Sequence, residues 1–184
     1  LAGNVKELLP QLKAKVLQLA DVQIANVAKS AFGTVMGQTS RDFVWGSSSV
    51  AANQSILLIN AYLQTGDQKY LVHAVSNLDY LLGRNATGYS FVTGAGSKPI
   101  MHPHHRPSVA DGITEPVPGL LSGGPNPGMQ DKCKYEFTEP ETAFTDHDCS
   151  YASNEIAINW NAPLVYLANA VEALQGAFKM NNGK

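Results

Sequence analysis

An all-α fold is what this sequence predicts, on three observations. Apolar residues recur at spacings of three and four in four separate stretches. Gly, Pro and Asp punctuate the ends of those stretches as helix starts and stops. No stretch of any length alternates apolar and polar residues as a half-buried strand would.

The first helix is expected from Pro10 to about Ala28, with Leu12, Val16, Leu19, Ala20 and Val27 on one face, Pro10 in the first turn and Gly33 beyond the end. The second follows Ser47-Ser48-Ser49, any of which could cap it, and runs through Ile56, Ile59, Ala61 and Leu63 to Gly66. Asp67 then offers an N-cap for the third, whose apolar face is Leu71, Ala74, Val75, Leu78 and Leu82, with Gly83 as its stop. Gly66-Asp67 therefore reads as a tight turn between two antiparallel helices. The fourth carries Leu164, Leu167, Ala168, Val171, Leu174 and Phe178, and Pro163 suggests that its regular part begins there.

Between Gly83 and about Ser150 the chain turns rich in Gly, Pro, His and Asn, as in Gly123-Gly124-Pro125-Asn126-Pro127-Gly128. A loop of this length inside a compact domain points to function or disorder. The concentration of polar and titratable side chains in it favours function.

The bulk numbers exclude several classes. The 184 residues suffice for one sizeable core, with 44% hydrophobic and 15% charged residues. The net charge of −2 leaves no basic stripe for phosphates, so nucleic acid is not an expected partner. No apolar run approaches the ~20 residues of a membrane span, so no membrane is expected either. Leu1 in place of Met fits a processed or truncated chain. Cys133 and Cys149 are equally readable as one disulfide or as two inert thiols.

Three clusters can do chemistry: His102-Pro103-His104-His105-Arg106, Phe144-Thr145-Asp146-His147-Asp148, and Asn154-Glu155 followed by Trp160-Asn161. The histidines raise zinc binding, but neither Cys-x-x-Cys nor His-Glu-x-x-His occurs, and no metal ligands are assigned. There is no Gly-x-Ser-x-Gly elbow and no glycine-rich phosphate loop before a helix. Arg, His and Trp together offer directional donors and a flat stacking face, which suits a sugar cleft. Asp146, Asp148 and Glu155 are candidates for the two carboxyl groups that glycoside hydrolysis requires.

At these residues the sequence resembles glycoside hydrolase family 9, the inverting endoglucanases built as an (α/α)6 barrel. Ser90-Phe91-Val92-Thr93-Gly94-Ala95-Gly96-Ser97-Lys98, followed by Pro103-His104-His105-Arg106, matches the family's active-site histidine signature. Phe144-Thr145-Asp146, Tyr151, Glu155, Ala157 and Asn161-Ala162 satisfy its second signature. The resemblance implies that Glu155 is the general acid, holding its proton through burial or a carboxylate neighbour. It implies an active-site place for Asp146, as a supporting group rather than the activator of water. It places His104 and Arg106 on glucose hydroxyls, and Trp160 where the family often has Tyr. His102 and His105 read as loop-packing residues, Asp148 and Cys149 as local structure, and Trp45 as core or cleft wall.

The family's general base comes from an Asp-x-x-Asp motif near the start of its catalytic domain, and no two of the eight aspartates here lie three apart. Four long helices make roughly a third of a twelve-helix barrel. Residues 1–184 are therefore expected to be a carboxy-terminal fragment, the last third to half of one (α/α)6 catalytic domain, inactive alone and exposing an apolar face. The expected partners are a β-1,4-glucan or cello-oligosaccharide and the missing amino-terminal part. The resemblance implies no cofactor for the chemistry, structural calcium as an option for the complete domain, and a secreted or periplasmic location. Two alternatives stay open, an exo-acting oligosaccharide glycosidase of the same family and a non-catalytic glycan-binding module. Retention of Glu155, Asp146, His104 and Arg106 together counts against the second.

Overall fold

The computed structural model describes residues 2–179, with side chains described for residues 5–177. The element order is α1 (Ala2–Ile24), α2 (Ser47–Thr65), α3 (Gln68–Leu81), α4 (Arg106–Ala110), α5 (Ile158–Ala173) and α6 (Gln175–Lys179), with 3-10 turns at Val27–Lys29 and Ser40–Asp42. Helices and loops make the whole of the described fold, and β-pairing is confined to isolated bridges.

The best-packed unit is the hairpin of α2 and α3. Gly66 takes the left-handed conformation that a side chain would resist (φ 70°), and its N–H closes on the Tyr62 carbonyl at 2.7 Å. The Asp67 carboxylate then accepts from Lys69 N–H and starts α3. Ala51, Ala52, Leu58, Ile59 and Ala61 of α2 face Tyr70, Leu71, Ala74 and Leu81 of α3, all of them buried, and α5 packs across α2. The hairpin is thus as the sequence predicts.

The start of α2 differs from expectation. The N-cap is Gly46, at φ 85° and without a side-chain cap, not one of the three serines. Ser47 and Ser48 are completely buried and act as spacers instead. The loop at Gly123-Gly124 lies so close that a Cβ on Gly124 would sit 2.3 Å from Ser48 Oγ. Ser48 N–H donates to the Gly123 carbonyl at 2.9 Å.

The two proline-based boundaries are also corrected. Helix α1 contains Pro10 in its interior, because the residues before it include the strong helix formers Lys6, Glu7, Leu8 and Leu9. It ends as an α-helix at Ile24, with a 3-10 turn carrying Val27 into the core. Helix α5 begins at Ile158, five residues before Pro163. Extended Ala157 receives Trp160 N–H, Asn161 N–H and Asn161 Nδ2–H on its carbonyl, so the first turn is closed without the proline. Leu164 and Leu167 of the expected α5 stripe are buried, Val171 and Leu174 are half-buried, and Ala168 is exposed. Phe178 lies outside the residues whose side chains are described.

On α1 the apolar stripe mostly faces outward. Ala20 is buried, but Leu12 and Val22 are 62% and 63% exposed, and Val5, Leu8, Leu9 and Leu19 are exposed with them. A second uncovered apolar surface is a cavity of about 470 Å³ between α2 and α5, lined by Ile59, Leu63, Val165, Tyr166, Ala170 and Leu174 among others.

The long segment after α3 is folded. Phe91 is fully buried, with the Tyr80 ring at 5.9 Å and the Phe144 ring edge-on at 5.0 Å. Ile100 and Leu121 join the same core. Bridges Val92–Leu121, His104–Glu155 and Ser122–Ile156 tie distant stretches of this segment together.

Candidate active site

The site grows from the stretch 121–126, which threads between the amino-terminal ends of α2 and α5. Asn161, in the first turn of α5, accepts from Leu121 N–H through Oδ1 (2.7 Å) and donates to the Leu121 carbonyl through Nδ2 (3.1 Å). Gly123 N–H donates to the Glu155 carbonyl at 3.1 Å, and Gly124 N–H to the Ser153 carbonyl at 2.8 Å. Trp160 is wedged where a Cβ on Gly46 would lie 2.6 Å from its Nε1 and one on Gly123 would lie 3.2 Å from Cζ3. Glycine at these two positions makes room for the indole, so Trp160 walls the site from behind and is half-buried.

Two clusters that are some fifty residues apart in sequence meet in register. His104 N–H donates to the Asn154 carbonyl (2.8 Å), and Ile156 N–H donates to the His104 carbonyl (3.4 Å). This parallel bridge sets His104 directly beside Glu155, which is half-buried. Nδ1 of His104 lies 2.5 Å from the Asp148 carbonyl oxygen. A carbonyl only accepts, so Nδ1 carries the proton, and in the neutral ring Nε2 presents a lone pair.

Asp146 is spent on the backbone. Its Oδ2 accepts from Met101 N–H at 2.8 Å, and its Oδ1 from His102 N–H at 2.9 Å and Asn154 Nδ2–H at 3.2 Å. Asn154, completely buried, also donates to the His102 carbonyl at 2.8 Å. The carboxylate therefore clamps the strand leading to His104 against the turn leading to Glu155. Arg106 is the first residue of α4 and is exposed. It lines a cavity of about 290 Å³ with His104, His105, Val109, Ala110 and Asp148. His105 bonds Ser108 Oγ through Nδ1 at 2.9 Å, the loop-packing place expected of it, while His102 contributes its backbone and its ring is exposed.

An aromatic row flanks the bridge, and its pairing was not assigned from sequence. The His104 ring stands edge-on to Tyr151 at 6.1 Å, and Tyr151 lies 5.7 Å from Trp45. Trp45 and Tyr151 are 43% and 37% exposed, the right condition for stacking on a sugar face. Tyr151 carried a signal in sequence as an aromatic place of the second signature. Trp45, a hundred residues upstream, was expected as core or cleft wall, and its exposure rules out the core.

Cys133 and Cys149 form a disulfide across 16 residues. With His147 they are, among the described residues, the one gathering of three possible metal donors. The disulfide occupies both sulfurs, which leaves a single imidazole. Calcium takes six to eight oxygen ligands, and among the described residues no three carboxylates gather to begin such a set. No described helix is long and apolar enough to cross a membrane.

Residues 2–168 match the family model described as glycosyl hydrolase family 9. The xyloglucan-specific endo-beta-1,4-glucanase BoGH9A of Bacteroides ovatus is 49% identical over 164 residues, which are 89% of this chain and 28% of that protein. A cellodextrinase of Butyrivibrio fibrisolvens is 36% identical over 156 residues, 83% of this chain and 28% of the relative. A solved Bacteroides ovatus GH9 structure superposes with a TM-score of 0.84 at 45% identity, over 92% of this chain and 29% of that one. The chain thus spans less than a third of the length of these relatives.

Proposed function

The chain belongs to glycosyl hydrolase family 9, and on that premise we propose that it is the acid-bearing, carboxy-terminal portion of a catalytic domain that hydrolyses β-1,4-glucosidic bonds with inversion. The observation that carries this reading is the bridge that sets His104 beside Glu155, with Asp146 clamping both strands of it. Glu155 protonates the leaving glycosidic oxygen. His104, its ring aimed by the Asp148 carbonyl, and exposed Arg106 hold glucose hydroxyls near the cleavage point, with Trp160 walling the subsite. Asp146 is a positioning group, since both of its oxygens already accept from the groups it holds together.

Inversion needs a second carboxylate roughly 6.5–9.5 Å from the acid, with a water between them. The Asp-x-x-Asp that would supply it belongs to the rest of an (α/α)6 barrel, of which α1, α2, α3 and α5 form a part. The outward apolar face of α1 and the cavity between α2 and α5 are where that remainder packs. The chemistry proceeds by carboxyl groups and needs no cofactor. The Cys133–Cys149 disulfide supports a secreted or periplasmic location.

Replacing Glu155 with Gln in the complete protein tests the reading. Turnover of cello-oligosaccharides should fall by about 10²–10⁴-fold, with substrate still bound. Unchanged turnover overturns the assignment, and a complete protein that binds glycans but never turns over would be a binding module. The likeness to a cellodextrinase favours a second reading, action on short oligosaccharides from one end. Product lengths released from a long glucan separate the two.

A further inference from the structure

The turn that delivers Glu155 is itself anchored, and the anchor is a carboxylate absent from both signature clusters. Asp131 Oδ2 accepts from Ser150 Oγ–H at 2.6 Å, Tyr135 O–H at 2.8 Å and Ala152 N–H at 2.9 Å. Its Oδ1 accepts from Cys133 N–H at 3.0 Å. Ser150 Oγ in turn accepts from Ser153 N–H at 3.2 Å and lies 2.8 Å from Ser153 Oγ. Ser153 Oγ reaches Thr145 N–H at 3.4 Å, one residue before Asp146. Ser150, Ala152, Ser153 and Asn154 are all completely buried. The network thus grips Ser150, Ala152 and Ser153 of the turn leading to Glu155, and touches the stretch that carries Asp146.

The charge state fits an acceptor role. Burial alone would push the Asp131 carboxyl up, but the donations from Ser150, Ala152, Cys133 and Tyr135 outweigh it and hold the group below the ordinary carboxylate value. Burial pushes the Tyr135 phenol up, so it stays a donor.

We propose that Asp131, with Tyr135, is a positioning residue for the general acid: its ionised carboxylate fixes the 150–154 turn and thereby the place of Glu155. This rests on the reading of Glu155 as the acid. Sub-ångström to 1 Å errors in a proton donor slow the steps that need its proton, and leave the others alone. A sugar leaving group needs protonation. A 2,4-dinitrophenolate leaves without it.

The test compares Asp131→Asn, Tyr135→Phe and Glu155→Gln in the complete protein on cellotetraose and on 2,4-dinitrophenyl β-cellobioside. Asp131→Asn should lower kcat on cellotetraose about 10- to 100-fold with KM unchanged, and alter kcat on the activated substrate less than about threefold. An equal fall on both substrates means loss of folded enzyme, and no fall on either means no positioning; each overturns the proposal. If Asp131→Asn does not accumulate as folded protein, Tyr135→Phe decides by the same ratio. Glu155→Gln must itself show the selective loss. If it does not, the acid reading has failed, whatever the Asp131 variant does.

Discussion

Asp146→Asn isolates what the clamp does. The amide keeps the shape of the carboxylate but has one accepting oxygen in place of two. With that oxygen at the Oδ1 position, it still serves His102 N–H and Asn154 Nδ2–H, and its NH2 then faces Met101 N–H, donor against donor. The flipped amide would save Met101 and lose the other two, so the first orientation prevails. A hydrogen bond to a charged group contributes about 1.5–3 kcal/mol, and the half-buried position keeps the cost to about 2–3 kcal/mol locally. Hydrogen exchange of the Met101 amide in the complete protein should accelerate about 30- to 150-fold, the same free energy expressed as opening. The strand it releases runs directly to His104, so kcat on cello-oligosaccharides should fall by about 10²-fold. Added azide should restore nothing, because a clamp cannot be replaced by a diffusing nucleophile. Unchanged exchange at Met101, together with turnover rescued by azide, would refute the reasoning and make Asp146 the group that activates water.

Gly46→Ala should destabilise by about 2 kcal/mol or more in denaturant unfolding, from a side chain in the left-handed region and a Cβ 2.6 Å from the Trp160 indole. Tyr80→Phe should leave stability unchanged or raise it by about 1 kcal/mol, since the phenol is buried and its hydroxyl has no partner among the described residues; a loss would reveal a partner for that hydroxyl. The Asp131 carboxyl is held below its ordinary value of 3.8, so its contribution to stability is complete above that pH and is lost as pH falls through the lower folded value. Acid unfolding of Asp131→Asn should accordingly show a shallower dependence on pH below about 4 than the unmodified protein does.

The helical part of the fold was legible wherever a local rule sufficed. Gly66 and Asp67 mark the α2–α3 turn because backbone freedom and a side-chain cap act within a few residues. Pro163 misled because its helix starts at Ala157, an N-cap whose side chain offers no capping group to read in the sequence. The serines before α2 looked like caps, but they are small because Gly123-Gly124 packs on them from 76 residues away. At the site, residue types marked three clusters, and it was the resemblance to the family signatures that singled out Glu155, Asp146, His104, Arg106 and Trp160. What the sequence hid was the pairing between them: the bridge, the Asp148 carbonyl on His104 and the Asp131 bonds to Ser150 and Ala152 are contacts between residues 19 to 51 positions apart. Trp45 joins the aromatic row only through tertiary packing on Tyr151.

The two halves of the structure are held by different forces. Around Glu155 the scaffold is polar: Asp131, Asn126 and Asn161 each bind backbone on two segments, Asp146 joins the backbone of residues 101–102 to the Asn154 side chain, and the disulfide closes the loop from Cys133 to Cys149. Such a scaffold keeps its geometry without a large apolar core, because each buried N–H that it holds would cost about 1–3 kcal/mol if released. Helix α1 is the opposite case, an apolar helix whose longer side chains largely face water. Polar ties from the rest of the described fold reach only its last turn, where Asp21 accepts from Tyr70 O–H at 2.8 Å and pairs with Lys69 at 3.0 Å, and the Gln23 carbonyl accepts from Gln38 at 2.6 Å. The turns before it are held by apolar contact that is mostly unmade. Opening should therefore begin at α1, with the amides of residues 101–104 and 150–156 the last to exchange. Packing the rest of the barrel onto α1 should slow exchange there far more than at the turn that carries Glu155.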